Sequence, residues 1–187
     1  MTEFEVESQE KSAEAARRRW LLTGAGGLAA AAGVGLAWWQ FSPHDVQDGA
    51  DQMLWQQSFT ALQGQSQTLA QWRGKPLLIN FWATWCPPCV RELPMLSEFS
   101  AKSGEHGVQV VGLAIDKIDA VQKFLARQPV LFPVLMASEG GLGLTRALGN
   151  SQGGLPFSIL VDAGGMVRQR KIGELSASDL ALWSQKG

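Results

Sequence analysis

The only two cysteines of this 187-residue chain stand three apart, as Cys86-Pro87-Pro88-Cys89, just after the apolar run Leu77-Leu78-Ile79-Asn80-Phe81-Trp82. A short run of this kind, bounded by Gly74, Lys75 and Pro76, predicts a strand covered on both faces of a sheet. Leu93, Leu96 and Phe99 then recur at near-helical spacing and predict a helix from about Pro87 to Ser103. The dithiol therefore sits where a buried strand hands over to a helix. Both prolines fall in the first turn, where a missing N–H costs little because those donors have no intrahelical partner. The remaining unpartnered N–H groups at a helix start favour thiolate over thiol. Cys86 is the predicted nucleophile, and Cys89, one turn deeper, is the sulfur that resolves a mixed disulfide.

Counting residues removes several other readings. Two cysteines form at most one disulfide, which excludes a disulfide-stapled miniprotein and any four-thiolate zinc or iron–sulfur site. Zinc at the pair would need two further ligands, and the histidines are only His44 and His106. Copper(I) capture by the thiolates of Cys86 and Cys89 is chemically sensible, so a non-enzymatic copper(I) chaperone stands as the alternative from another class. Sixteen basic against 17 acidic side chains leave a net charge of −1 and no electrostatic footprint for nucleic acid. The length allows one domain of ordinary size and a short appendage.

The appendage lies at the N-terminus. Residues 1–19 form a charged tail ending in Arg17-Arg18-Arg19, and no charged residue follows from Trp20 to Pro43. The apolar stretch 20–41 has 22 residues, about 33 Å as a helix, which matches the hydrocarbon core of a bilayer. Arginines before the span and Asp45, Asp48 and Asp51 after it predict a cytoplasmic N-terminus and a single-pass inner-membrane protein with its domain in the periplasm. Trp20 at one end and Trp38 with Trp39 at the other fit the lipid–water interface. The rival is a removable twin-arginine signal, with Gly35-Leu36-Ala37 as its cleavage site. An uncleaved signal-anchor is favoured, because the span is long for a signal core. Both readings deliver the domain outside the cytoplasm, where cysteines meet oxidants.

Residues 42–56 are polar and read as a tether, leaving 57–187 for the domain. Val108–Ile115 predicts a second buried strand, and Val121, Phe124 and Leu125 form the stripe of an amphipathic helix. Val130–Leu135 is β-rich, a short helix is expected around Leu142–Leu148, and Ser151–Gly154 is a Gly-rich turn. Phe157–Val161 and Met166–Ile172 flank Asp162-Ala163-Gly164-Gly165 as a hairpin, and a last helix runs from Ser176 to Gln185. Strands alternating with helices predict an α/β fold with a mixed, mainly parallel sheet flanked by helices.

The string Phe81-Trp82-Ala83-Thr84-Trp85-Cys86-Pro87-Pro88-Cys89 resembles the active-site segment of the thioredoxin superfamily. Its wider context is similar to the membrane-tethered TlpA/ResA-like branch. Glu92 and Pro94 match that branch's Cys-x-x-Cys-x-x-Glu-x-Pro pattern, Val108–Leu135 resembles the redoxin β-α-β insertion, and Gly154-Leu155-Pro156 matches the cis-proline loop. The resemblance covers roughly residues 57–187. It implies a thioredoxin-like fold and a catalytic site of Cys86, Cys89 and Glu92, with Trp85, Leu155 and Pro156 facing substrate. Many thioredoxins carry a buried aspartate where this chain has Asn80, so the resemblance makes Glu92 the acid that shuttles the Cys89 proton; a solvated helix-face glutamate is the other reading.

These readings converge on an extracytoplasmic thiol–disulfide oxidoreductase that reduces protein disulfides and needs no cofactor beyond its own redox-active pair. Its implied partners are a membrane dithiol donor and clients of the cytochrome c or copper-site assembly type. A peroxidase has less support, because peroxiredoxin-type sites rest on a single activated cysteine in a different motif.

Overall fold

The computed structural model describes residues 49–104 and 107–185. The predicted tail, the membrane span at 20–41 and residues 42–48 of the tether lie outside them. No helix among the described residues is long and apolar enough to cross a membrane.

The six-residue run Leu77–Trp82 forms β3, with every side chain buried. Leu77, Ile79 and Phe81 point to one face of the sheet, and Leu78, Asn80 and Trp82 to the other. The first face packs on Val111, Leu113, Phe157, Ile159 and Val161. The second receives Leu93, Leu96, Val121, Leu180 and both cysteines. Two apolar layers explain why the run does not alternate: a strand inside a three-layer fold has no solvent face.

On one side of β3, helix α2 (Pro87–Ser103) crosses over to β4 (Gln109–Ala114), which pairs parallel with β3 from Leu77↔Gln109 to Trp82↔Ala114. Helix α3 (Ile118–Arg127) crosses to β5 (Val134–Met136), parallel to β4. Of the β-rich stretch, the residues before Val134 form no strand, and Leu131 is 70% exposed. On the other side, β6 (Phe157–Val161) pairs antiparallel with β3 and turns at Asp162–Gly165 into β7 (Val167–Ile172). Gly165 has φ 92°, which a glycine adopts at no steric cost. Strands β1 (Ser58–Ala61) and β2 (Ser66–Thr68) form a hairpin on the β5 edge, completing the order β2-β1-β5-β4-β3-β6-β7.

Two expectations are corrected. The sheet is mixed but not mainly parallel: β3–β4 and β4–β5 are parallel, and the other four pairings are antiparallel. Only those two pairs are joined by helical crossovers. Helix α4 (Gly141–Ala147) and the loop after it begin and end at the edge where β3, β4 and β5 finish, so β6 has to run back. The polar stretch 42–56 is also not tether throughout, because Ala50–Gln56 forms helix α1 and buries Ala50, Leu54 and Trp55. The indole N–H of Trp55 donates to the Gly165 carbonyl (2.9 Å), and the Arg73 guanidinium lies over its ring. Three buried apolar residues among Asp51, Gln52, the exposed Met53 and Gln56 suffice for a seven-residue helix that docks by one face.

Candidate active site

β3 ends at Trp82, and the chain turns at once, with the Cys86 N–H donating to the Ala83 carbonyl (3.3 Å). Cys86 is the N-cap of α2, and Pro87 and Pro88 occupy its first two positions. The Cys86 Sγ accepts the Cys89 N–H at 3.3 Å, so the first donor left by the two prolines is aimed at this sulfur. The two sulfurs are bonded in a disulfide. Cys89 is fully buried, Cys86 is 4% exposed, and Trp85, its neighbour in the chain, is 66% exposed.

Glu92, one turn after Cys89, is 1% exposed and is not a solvated helix-face residue. Its Oε1 accepts from Asn80 Nδ2 (2.7 Å) and its Oε2 from the Leu175 N–H (2.7 Å). Asn80 Nδ2 also donates to Ser158 Oγ (2.9 Å). Burial pushes the Glu92 carboxyl up from 4.5 to about 7, even though the hydrogen bonds from Leu175 and Asn80 pull the other way; the Glu174 carboxylate adds to the rise and Lys171 opposes it. A carboxyl that changes charge near neutrality can take or give a proton at working pH.

The Leu155–Pro156 peptide is cis. Pairing of Phe81 with Phe157 brings Pro156 alongside Trp82, at the end of β3 from which the dithiol turn departs. Pro156 is buried, with its carbonyl accepting the Gly173 N–H (2.8 Å), while Asn150 Nδ2 ties down the Gly154 carbonyl (2.7 Å). Leu155 packs against the cluster that holds both cysteines. Cys86, Cys89, Trp85, Leu155 and Pro156 thus share one end of the sheet, and Glu92 lies beneath them.

Sequence reasoning missed Asp116. Its Oδ2 accepts both the N–H and the hydroxyl of Thr84 (2.9 and 2.5 Å), and its Oδ1 accepts the Lys117 N–H (2.7 Å). Burial pushes the Asp116 carboxyl up, but the bonds from Thr84 and Lys117 outweigh it and hold the group below the usual carboxylate range. One signal was present: Asp116 ends the segment of the second parallel strand, and in α/β sheets functional groups gather at the carboxyl ends of strands.

Comparison with known proteins agrees with this geometry. Residues 46–181 match the Redoxin family. The chain belongs to the redoxin family of the thioredoxin superfamily. Thiol-disulfide oxidoreductase ResA of Bacillus cereus is 37% identical over 129 residues, covering 68% of this chain and 72% of that protein. Among solved structures, MTB DsbF in its mixed oxidized and reduced forms aligns with a TM-score of 0.62 at 28% identity, covering 73% of this chain and 96% of that one. A thiol:disulfide interchange protein from Chlorobium tepidum TLS aligns with a TM-score of 0.61 at 28% identity, covering 70% and 91%. This redoxin is therefore a ResA/TlpA-like thiol–disulfide oxidoreductase.

Proposed function

We propose that this redoxin is a membrane-anchored reductase of protein disulfides on the outer side of the cytoplasmic membrane. The observation that carries the reading is the unequal setting of its two sulfurs: Cys86 caps a helix directly after an exposed tryptophan in the chain, and Cys89 is buried one turn from a carboxyl that titrates near 7. In the reduced protein the Cys86 thiolate attacks a client disulfide, and one client sulfur leaves as thiolate. Cys89 gives its proton to the Glu92 carboxylate and attacks Cys86 Sγ, releasing the second client sulfur. Two electrons pass to the client and the Cys86–Cys89 disulfide forms. A membrane dithiol donor then restores the pair, and the exchange needs no cofactor. The backbone at Leu155, beside Pro156, offers an edge along which an extended client segment pairs.

The anchor is supported by the uncharged stretch 20–41 behind Arg17-Arg18-Arg19, which also supports a cytoplasmic N-terminus and a periplasmic domain. Clients of the cytochrome c or copper-site assembly type fit a reductant in that compartment. The decisive measurement is the reduction potential, together with trapping by Cys89→Ser. A value in the range of thioredoxin, roughly −270 mV, with client proteins captured on Cys86, supports the reading. A value near strong oxidants, roughly −120 mV, refutes reduction as the direction. Copper(I) retention without disulfide reduction would transfer the same two sulfurs to a metallochaperone.

A further inference from the structure

The turn that presents Cys86 is gripped from outside its own segment by a single carboxylate. Thr84 lies between Ala83 and Cys86, whose turn is closed by one long bond of 3.3 Å, and Thr84 gives both of its donors to Asp116 Oδ2. Asp116 is itself well founded. The preceding Ile115 N–H donates to the Trp82 carbonyl (2.8 Å), Lys117 N–H donates to Oδ1, and Ser138 Oγ donates to the Asp116 carbonyl (2.6 Å). The loops that follow β3, β4 and β5 are thereby joined through one residue.

We propose that Asp116 is a positioning residue for the exchange reaction, holding Cys86 through Thr84 in register with the start of α2 while the Cys86–Cys89 bond is open. The disulfide supplies a covalent tie between the turn and the helix. That tie is absent from the reduced protein, the state that attacks a client. The sulfur then benefits from the Cys89 N–H only if the turn stays in place, because a hydrogen bond to a thiolate and the field of a helix start both weaken steeply with misalignment. A carboxylate accepting three N–H and O–H donors is the strongest non-covalent anchor present at the turn. The inference rests on Cys86 being the attacking sulfur.

The test is alkylation of the reduced full-length protein by iodoacetamide from about pH 5 to pH 9, with mass spectrometry to identify the modified cysteine. Asp116→Ala and Thr84→Val are each expected to move the Cys86 profile to higher pH and slow its alkylation at neutral pH by about threefold to tenfold. The double variant should be no slower than Asp116→Ala, because the two residues act as one unit. Asp116→Asn keeps an oxygen for Thr84 and should stay within about twofold of the unaltered protein. The other charged groups bearing on the site, Glu92, Lys117, Lys171 and Glu174, are the same in every variant. A profile unmoved by Asp116→Ala overturns the proposal. So does a shift to lower pH shared by the Ala and Asn variants, which would make Asp116 a charge and not a strut. If Asp116→Ala does not fold, Thr84→Val decides alone, and an unmoved profile there overturns the proposal equally. Faster alkylation of Cys89 than of Cys86 in the unaltered protein would overturn the choice of nucleophile. That failure is distinct from one in which Cys86 stays the reactive sulfur and Asp116 proves irrelevant.

Discussion

Replacing Glu92 by glutamine should change how stability depends on pH more than it changes stability itself. The carboxyl titrates near 4.5 when exposed and at about 7 in the fold, chiefly through burial. A raised folded-state value means that the native protein holds a proton the unfolded chain has released. Stability from this group is therefore complete below about pH 4.5 and is lost as pH climbs through about 7. Raising the carboxyl from 4.5 to about 7 corresponds to roughly 3 kcal/mol, most of which is lost between pH 5 and pH 8. Glutamine carries no such proton. It retains one acceptor for the two donors from Asn80 and Leu175, so a pH-independent loss of about 1–2 kcal/mol is expected as well. The assay is guanidinium unfolding of the oxidised protein at pH 5 and pH 8, since disulfide-bonded cysteines do not titrate. Asp116, Asp162 and Asp179 are held below the usual carboxylate range and stay ionised across that window. His44 and His106 are common to both proteins and cancel in the difference. The unaltered protein should lose about 2–3 kcal/mol relative to Glu92→Gln on going from pH 5 to pH 8. A difference that stays constant within about 0.5 kcal/mol would refute the raised carboxyl and remove Glu92 as a proton acceptor at neutral pH.

Gly112→Ala would place a methyl group 3.0 Å from both Phe132 Cε2 and Trp82 Nε1, so it should destabilise by about 1–3 kcal/mol with a change in indole fluorescence. A neutral result in chemical unfolding would show that this layer yields more easily than its packing implies. Removing the cap of the last helix, α5 (Ala177–Ser184), by Ser176→Ala deletes the hydroxyl oxygen that accepts the Asp179 N–H while the Ser176 N–H keeps its bond to the Asp179 carboxylate, and a loss of about 1 kcal/mol in thermal or denaturant melts is expected. Trp85→Ala, at a 66% exposed position, should leave stability within about 0.5 kcal/mol yet lower kcat/KM for a protein disulfide several-fold, with a smaller effect on a small-molecule disulfide. Equal losses on both substrates would move Trp85 from client contact to support of Cys86.

Local chemistry made much of this protein readable in one dimension. Consecutive prolines after Cys86 and Gly104 past the end bound α2 as Pro87–Ser103, the range its apolar spacing predicts. The Asp162–Gly165 turn announces the β6–β7 hairpin, and Ser176 with Asp179 announces the final cap. The dithiol at a strand-to-helix junction was legible for the same reason, because its geometry depends on neighbours within a few residues. Helix α1 was hidden because its apolar face is three residues in a polar stretch and gains meaning only when Trp55 meets Gly165, 110 positions away.

The sequence by itself determined the cysteine pair and the elements that carry it. Tertiary structure decided the chemistry around them. Glu92 has an ordinary helix position, and what raises it is burial between Asn80 on β3 and the N–H of Leu175, 83 residues onward. Asp116 reads as one more polar residue at a strand end until Thr84, 32 residues earlier, places both of its donors on it. Proton affinity and loop position depend on desolvation and on partners brought together from distant segments, and neither is written in a local pattern.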